Sequence, residues 1–292
     1  HKHVTSRMSP KERAANTSHG GDSYWFIAMP TCPANTFSNQ QYSYAIVDRL
    51  LALFHYDSEC VLCPYCNKTV DSHAYHLATC FADGNPHRTF ISNDLRDEVA
   101  RFYKAANFKD IRIEPRIDVN SQYRGDISTA STSKGGRTII DVTTAAPFQG
   151  SDHEATIAGL VQGASAKAAE DRKEAKHGDR VRANGDEFIP IACELSGHFG
   201  DRAIFHFSFV ARSATETTGD ARAFLHYWMR RFSCVLRRSF ANLLITRYSK
   251  TIRRGISDPR LINTDCLSFI TEGTTLSVDH VYNGNLHAIL SE

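Results

Sequence analysis

The spacing of apolar residues switches several times between the helical and the strand period along the chain. After a helix through Tyr44, Val47 and Leu51, helical spacing predicts three more helices, over 93–107, 152–177 and 220–250. Asn93 or Asp94 is placed to cap the first of them. Strand patterns predict four strands, over 111–117, 123–129, 137–144 and 188–195. Because the two kinds of element are interleaved, we predict an α/β fold with a small mixed sheet flanked by helices and a long C-terminal helix.

Changes in composition along the chain predict five segments. Residues 1–22 have almost no apolar content, so we expect a disordered or draped arm. The other segments are a helical lead-in, a cysteine-rich segment, the main α/β domain and a C-terminal extension, at 23–59, 60–82, 83–255 and 256–292. The chain shows neither an apolar run long enough for a bilayer span nor a signal-peptide pattern. We therefore expect an intracellular protein that is not a membrane protein.

Four of the eight cysteines fall within 21 residues, which is typical of a metal site in a reducing compartment rather than of a disulfide framework. The spacing predicts a tetrahedral zinc site at Cys63, Cys66, His76 and Cys80. The first pair comes from a knuckle turn, and the second pair is one helical turn apart, which favours His76 over His73. Cys60 and His73 remain alternative ligands. Four protein ligands leave no open position, so we expect this zinc to be structural.

Two aspartates downstream are candidates for chemistry. Asp126 opens a short strand, and Asp141 lies in the middle of the β-branched strand. A buried carboxylate is costly unless it is paired or bound to a cation. On neighbouring strands the two carboxylates and the carbonyl of Val142 would form an oxygen-rich site for Mg²⁺. Lys173 and Lys176 on the following helix are candidates to orient a water nucleophile or to stabilise charge on a phosphate.

The net charge of +2 is small, but its distribution is uneven. Nine Arg or Lys residues and no carboxylate lie between Ala221 and Arg254, which favours a polyanionic partner. The candidate contacts within this stretch are Arg230, Arg231, Arg237 and Arg238. The chain has neither the Gly-x-Ser-x-Gly elbow of many serine hydrolases nor a phosphate-cradling Gly-rich loop.

Short motifs follow one another in a specific order over residues 24–250. They are Cys63-x-x-Cys66 with His76-x-x-x-Cys80, Arg124-Gly125-Asp126, Asp141-Val142-Thr143-Thr144 with Pro147, Lys173-x-x-Lys176-His177, and Phe188-Ile189-Pro190 with Glu194 and Gly197. This order resembles the restriction-endonuclease-like domain that follows the reverse transcriptase in some non-LTR retrotransposons, a branch of the PD-(D/E)XK nuclease superfamily with a CCHC zinc knuckle. The chain departs from the family where a Pro becomes Arg124 and a Tyr becomes His177, and Arg88 is the nearest substitute for an Arg-His pair.

The resemblance implies a Mg²⁺-dependent DNA endonuclease domain of mobile-element origin that hydrolyses phosphodiester bonds. Asp126 and Asp141 would hold the metal, Lys173 would position the attacking water, and Lys176 would assist. Arg88 and Arg124 would join the basic helix in contacting DNA. The alternative is a domesticated, catalytically inactive relative that serves as a nucleic-acid-binding or structural subunit of a larger nucleoprotein complex. A mobile-element nuclease would act in the nucleus, whereas a domesticated relative is also compatible with the mitochondrion.

Overall fold

The computed structural model describes residues 8–19, 24–54, 61–117, 122–130, 136–215 and 220–257. The α-helices in these ranges are α1 Pro10–His19, α2 Asn39–Arg49, α3 Tyr75–Thr79, α4 Pro86–Ala105, α5 Asp152–Leu160, α6 Ala164–Ala183, α7 Asp201–Thr215 and α8 Ala221–Ser257. The strands are β1 Arg112–Ile113, β2 Ile127–Ala130, β3 Arg137–Ala145 and β4 Glu187–Glu194. Cys60 and most of the predicted C-terminal extension lie outside the described residues. No helix in the described part of the chain is long and apolar enough to span a bilayer.

The chain divides into two compact units. The first contains residues 1–36 and 86–239, and the second contains residues 37–85 and 240–292. The boundary therefore falls within α8. The sheet lies in the first unit, and the cysteine-rich segment lies in the second.

The sheet of the first unit has the strand order β1-β2-β3-β4. Its first two pairings are antiparallel and its third is parallel, with Ile127 opposite Ile140 and Asp141 opposite Pro190. A parallel pair needs a crossover connection, and α5 and α6 lie between β3 and β4 in the chain. All but two residues of β3 are buried, as expected for a central strand covered by helices. The predicted α/β fold with a small mixed sheet is confirmed.

An aromatic cluster connects the helices of this unit. Phe102 of α4 packs edge-on against Phe207 of α7 and against Trp228 and Phe232 of α8. Each of these rings is at least nine-tenths buried. The apolar face of α8 in this unit is therefore core, and Trp228 is not available to stack on a base.

The predicted arm differs from the structure. Residues 10–19 form helix α1, which packs against α5 through buried contacts of Ala14 with Ala155 and Ala158. Alanines allow two helix backbones to approach closely, so a helix with little apolar area still has a buried face. That face is too small to stand out in the hydropathy pattern.

The predicted helix over 152–177 is also different. It consists of α5 and α6, which are separated by a turn with Gly163 in the left-handed region at φ +78°. Helix α7 was not predicted, although Phe207, Val210 and Ala211 on one of its faces are buried.

Candidate functional site

The four predicted zinc ligands come from a knuckle turn and a short helix of the second unit. The Cys63 amide donates to the Lys68 carbonyl over 2.8 Å, and the turn places Asn67 in the left-handed region at φ 59°. Asp71 precedes α3 and accepts hydrogen bonds from the amides of Tyr75 and His76. These hydrogen bonds satisfy two free amides at the start of the helix that carries His76 and leads to Cys80.

The ligand atoms of Cys63, Cys66, His76 and Cys80 all lie within 4.8 Å of one another. The sulfurs of Cys63 and Cys80 are 3.8 Å apart. A zinc–sulfur bond of about 2.3 Å in tetrahedral geometry places two sulfurs about 3.8 Å apart, so the sulfur positions fit zinc. The Cys66 sulfur lies 3.1 Å from His76 Nε2. The cluster can therefore bind a metal ion such as zinc, and it forms without His73.

Burial raises the pKa of the Cys63 thiol to about 11. Because a metal binds the thiolate, ion binding must compensate for the cost of deprotonating this buried group. The helix behind the cluster is fixed by Arg247, which is fully buried. Its guanidinium donates to the carbonyls of Leu77 and Cys80 at 2.8 and 2.9 Å and pairs with Asp83. This arginine of the basic stretch is a structural element of the second unit.

The two predicted acids lie side by side where β3 extends past the first residue of β2. Asp126 immediately precedes β2, and Asp141 lies in β3. The Asp126 amide donates to the Ile140 carbonyl over 3.0 Å, which places Asp126 beside Asp141. The Val142 amide donates to Asp126 Oδ2 over 2.6 Å. Burial, the charge of Asp141 and a hydrogen bond between the two side chains raise the pKa of Asp126 to about 7. The acids are therefore close enough to share a proton or a cation.

Gly125 explains how the acids come this close. A Cβ atom at this position would lie 2.5 Å from Cγ2 of Ile139, so only glycine lets the backbone before β2 approach β3. The carbonyl of Val142 also faces this edge, because the amide and carbonyl of one strand residue point to the same side. The two carboxylates and this carbonyl therefore lie along the same edge.

Helix α6 places one predicted lysine at the acids. Lys173 Nζ lies 2.9 Å from Asp141 Oδ1, and the Asp141 side chain is only 9% exposed. His177, one turn later, has Nε2 3.8 Å from Asp141 Oδ2. Burial lowers the pKa of His177, and the neighbouring cations lower it further. His177 had no predicted role in the site, although its spacing of four from Lys173 places both side chains on one helical face.

Lys176 does not contact the acidic pair that it was predicted to assist. Its side chain is exposed, and it forms no ion pair with either acid in the described residues. Among the lysines predicted to act in catalysis, Lys173 is therefore the one that contacts the acidic pair.

The structure also corrects the predicted basic surface of α8. Arg231 pairs with Glu98, whose side chain is completely buried, and its guanidinium lies 4.7 Å from the Trp228 ring centroid. Arg237 is fully buried and donates to the Leu195 carbonyl over 3.2 Å. Both arginines face inward and stabilise the first unit, so they are not available for phosphates.

Arg238 and Arg88 are occupied as well. Arg238 Nη1 donates to the carbonyls of Pro33, Ala34 and Thr36 at 2.8 to 3.3 Å. Arg88 donates to the Thr144 carbonyl at the end of β3, and burial lowers its pKa to about 10. These contacts replace the predicted phosphate contacts.

The remaining two arginines of the predicted nucleic-acid set are less enclosed. Arg230 is half-buried, whereas Arg124 is exposed and has Nη1 3.6 Å from Glu114.

No model of a known protein family matches the chain, and no curated protein matches it.

Proposed function

We propose that this chain is a Mg²⁺-dependent DNA endonuclease domain of the PD-(D/E)XK type, with a structural zinc ion in its second unit. The observation that carries the proposal is the constellation of Asp126, Asp141 and Lys173 at one edge of β3. Two carboxylates at a strand edge and a lysine from the next helix are the groups that metal-assisted phosphodiester hydrolysis requires.

The order of the elements supports the same proposal. The resemblance implies a helix, two acidic strands, a lysine-bearing helix and a strand with a proline, in that order. Helix α4, strands β2 and β3, helix α6 and strand β4 follow this order, and Pro190 lies opposite Asp141 in the sheet.

The side chains divide the chemistry among them. Val142 N–H holds Asp126 Oδ2, which leaves Asp126 Oδ1 for a cation. Asp126, Asp141 and the Val142 carbonyl would hold Mg²⁺, since this ion prefers oxygen ligands. Bound Mg²⁺ would supply Lewis-acid stabilisation of the charge that develops on the scissile phosphate. Lys173 is held at the site by Asp141 and would donate a hydrogen bond that orients the attacking water.

The Cys/His cluster has a different task in this proposal. Its four ligands would complete a tetrahedral shell, so a zinc ion bound there would have no open position for substrate. It would link the knuckle turn to α3 and stabilise the second unit.

The test is cleavage of supercoiled plasmid DNA by the purified zinc-loaded chain, with Mg²⁺, with Mn²⁺ and with neither. We expect nicking or linearisation that requires the added cation and is abolished in Asp141→Asn. Asp179→Asn is the matched control, because it removes an equally charged but fully exposed carboxylate of α6. Absence of cleavage with both cations would overturn the proposal and favour the domesticated, inactive relative.

A further inference from the structure

The two faces of α6 differ in how their charges are balanced. On one face, Lys167, Asp171, Glu174 and Arg182 form a network of ion pairs together with Arg202 of α7. Each cation there has a carboxylate within 4 Å. This face is an ordinary neutralised helix surface.

The other face carries Lys173, Lys176 and Arg180. At 3.6 residues per turn these positions fall within about 60° of the helix circumference. Lys176 and Arg180 are exposed, and neither forms an ion pair with a carboxylate in the described part of the chain. All three cations lower the pKa of His177, which itself lies beside Asp141. The unneutralised charge therefore adjoins the acidic pair.

Arg180 is also oriented by a neighbouring ring. Its guanidinium carbon lies 4.2 Å from the ring centroid of Tyr123, which is half-exposed and three residues before Asp126. A stacked guanidinium keeps its N–H groups in the plane, where they remain free to bind a phosphate. The stack thus holds a phosphate-binding group next to the loop that leads into the site.

We propose that Lys176 and Arg180, the basic edge of α6, bind backbone phosphates of DNA next to the scissile phosphate. This inference rests on the proposed function and assigns Lys176 to substrate binding instead of catalysis. From Lys173 to Arg180 the helix rises about 10 Å, a length over which one strand of B-DNA presents about three phosphates. Lys173 would serve the reacting phosphate, and the basic edge would hold its neighbours.

The charge pattern favours a nucleic-acid backbone over an acidic protein. The basic edge continues directly from Lys173, which contacts Asp141, so a phosphodiester chain placed at the acids would run along it. An acidic protein surface would have no reason to extend to the pair of carboxylates, which would repel it.

The first experiment measures binding of a short DNA duplex across a salt series, with zinc-loaded protein and no added divalent cation. Loss of two phosphate contacts in Lys176→Ala/Arg180→Ala should reduce the log–log salt slope by about 1.8 and the affinity at 0.1 M salt by about 60-fold. The matched control, Lys167→Ala/Arg182→Ala, removes two cations of the same helix that are already neutralised, and its slope should change by less than about 0.5.

The second experiment separates binding from chemistry. In the cleavage assay Lys176→Ala/Arg180→Ala should raise KM by a similar factor and leave kcat within about twofold, because contacts made equally in ground and transition states change KM alone. The charge-preserving Lys176→Arg/Arg180→Lys variant should restore the wild-type salt slope. It also shows that loss of charge, rather than misfolding, causes the effect.

Two results would overturn the inference. One is an unchanged slope and affinity in Lys176→Ala/Arg180→Ala, and the other is a lower kcat with unchanged KM, which would return Lys176 to catalysis. If the wild-type chain cleaves DNA but the salt slope of Lys176→Ala/Arg180→Ala is unchanged, the basic edge does not bind phosphates and the nuclease proposal still stands. A reduced slope without cleavage under Mg²⁺ or Mn²⁺ would remove the nuclease proposal and support the basic edge as a binding surface.

Discussion

The Cys/His cluster and the acidic pair differ in what they contribute to the fold. The cluster joins a turn at Cys63 and Cys66 to a helix of five residues, and neither element is stable alone in water. The acidic pair lies on a sheet whose hydrogen-bond ladders form without it. We therefore expect a ligand of the first centre to be needed for folding and, under the proposed function, a ligand of the second to be needed for chemistry.

The electrostatics of the acidic pair also indicate that it does not stabilise the fold. Burial raises the pKa of Asp126, and the charge of Asp141 raises it further, so the fold holds this acid where its ionised form is unfavourable. Such a pair destabilises the protein at neutral pH unless a cation or a proton lies between the carboxylates. The acidic pair costs stability, yet the chain has a glycine at position 125, where a side chain would prevent the acids from approaching. This combination is typical of a functional site. We therefore expect loss of a ligand to lower stability at the Cys/His cluster and to raise it at the acidic pair.

The largest effect is expected at the Cys/His cluster. Cys63→Ser should abolish zinc binding and unfold the second unit, because a structural zinc site contributes about 10 kcal/mol or more of binding free energy to folding. Zinc content by elemental analysis and thermal unfolding followed by circular dichroism measure the change. Cys32→Ser, which alters a cysteine outside the cluster, should retain one zinc per chain. An unchanged melting temperature in Cys63→Ser would show that the cluster is not a structural site.

Asp126→Asn should have the opposite effects on activity and stability. Cleavage should fall by a factor on the order of 10³, since several kcal/mol of charge stabilisation depend on the cation. The same change removes the repulsion with Asp141, and the melting temperature should rise by about 2–4 °C. The plasmid assay and thermal unfolding at pH 8 without added Mg²⁺ measure the two quantities. A variant that loses both activity and stability would show that Asp126 is a structural residue.

The sequence predicted the two centres because their signals are local. The four residues of the Cys/His cluster lie within eighteen positions, and their spacing alone indicates a metal-binding geometry. Asp141 stood out as an acid inside a β-branched run, which is unfavourable unless the residue has a partner. The contact of His177 with Asp141 was missed, because a histidine at helical spacing is also common in cores without any role in a site.

The basic surface of α8 could not be predicted correctly from charge counts. The carboxylate that pairs with Arg231 is Glu98, which lies 133 positions away in the sequence. Arg237 donates to the backbone carbonyl of Leu195, a contact that no count of charged residues can reveal. A run of arginines on a helix therefore does not show which of them face solvent. On α6 the ion pairs in the structure show which cations are neutralised and which are not.

Arg231→Ala tests this correction with an effect on stability. It leaves the Glu98 carboxylate buried with Arg101 as its remaining partner, so we expect a loss of about 3 kcal/mol of unfolding free energy. Denaturant unfolding measures the loss. Arg222→Ala, which alters an exposed arginine of the same helix, should change stability by less than about 0.5 kcal/mol. A salt slope for DNA binding that falls in Arg231→Ala while stability is unchanged would instead restore the predicted basic surface.

The smallest effect expected is a proton linkage that belongs to the acidic pair. Mg²⁺ requires ionised Asp126, whose pKa without the cation is about 7, so binding below this pH must release a proton. Between pH 8 and pH 6 the ionised fraction falls by about tenfold, and the affinity for Mg²⁺ should fall by the same factor, or about 1.4 kcal/mol. Above pH 8 the affinity should be constant.

Isothermal titration calorimetry of the zinc-loaded chain with MgCl₂ at pH 6, 7 and 8 measures this linkage. Repeating the titration at pH 6 in buffers of different ionisation enthalpy counts the released protons directly. Asp141→Asn should remove most of the linkage, because it lowers the pKa of Asp126 along with the affinity. If Mg²⁺ affinity is independent of pH over this range, the cation does not compete with the proton on Asp126. The acidic pair would then be held by Lys173 alone, as a buried ion pair of the sheet without a metal.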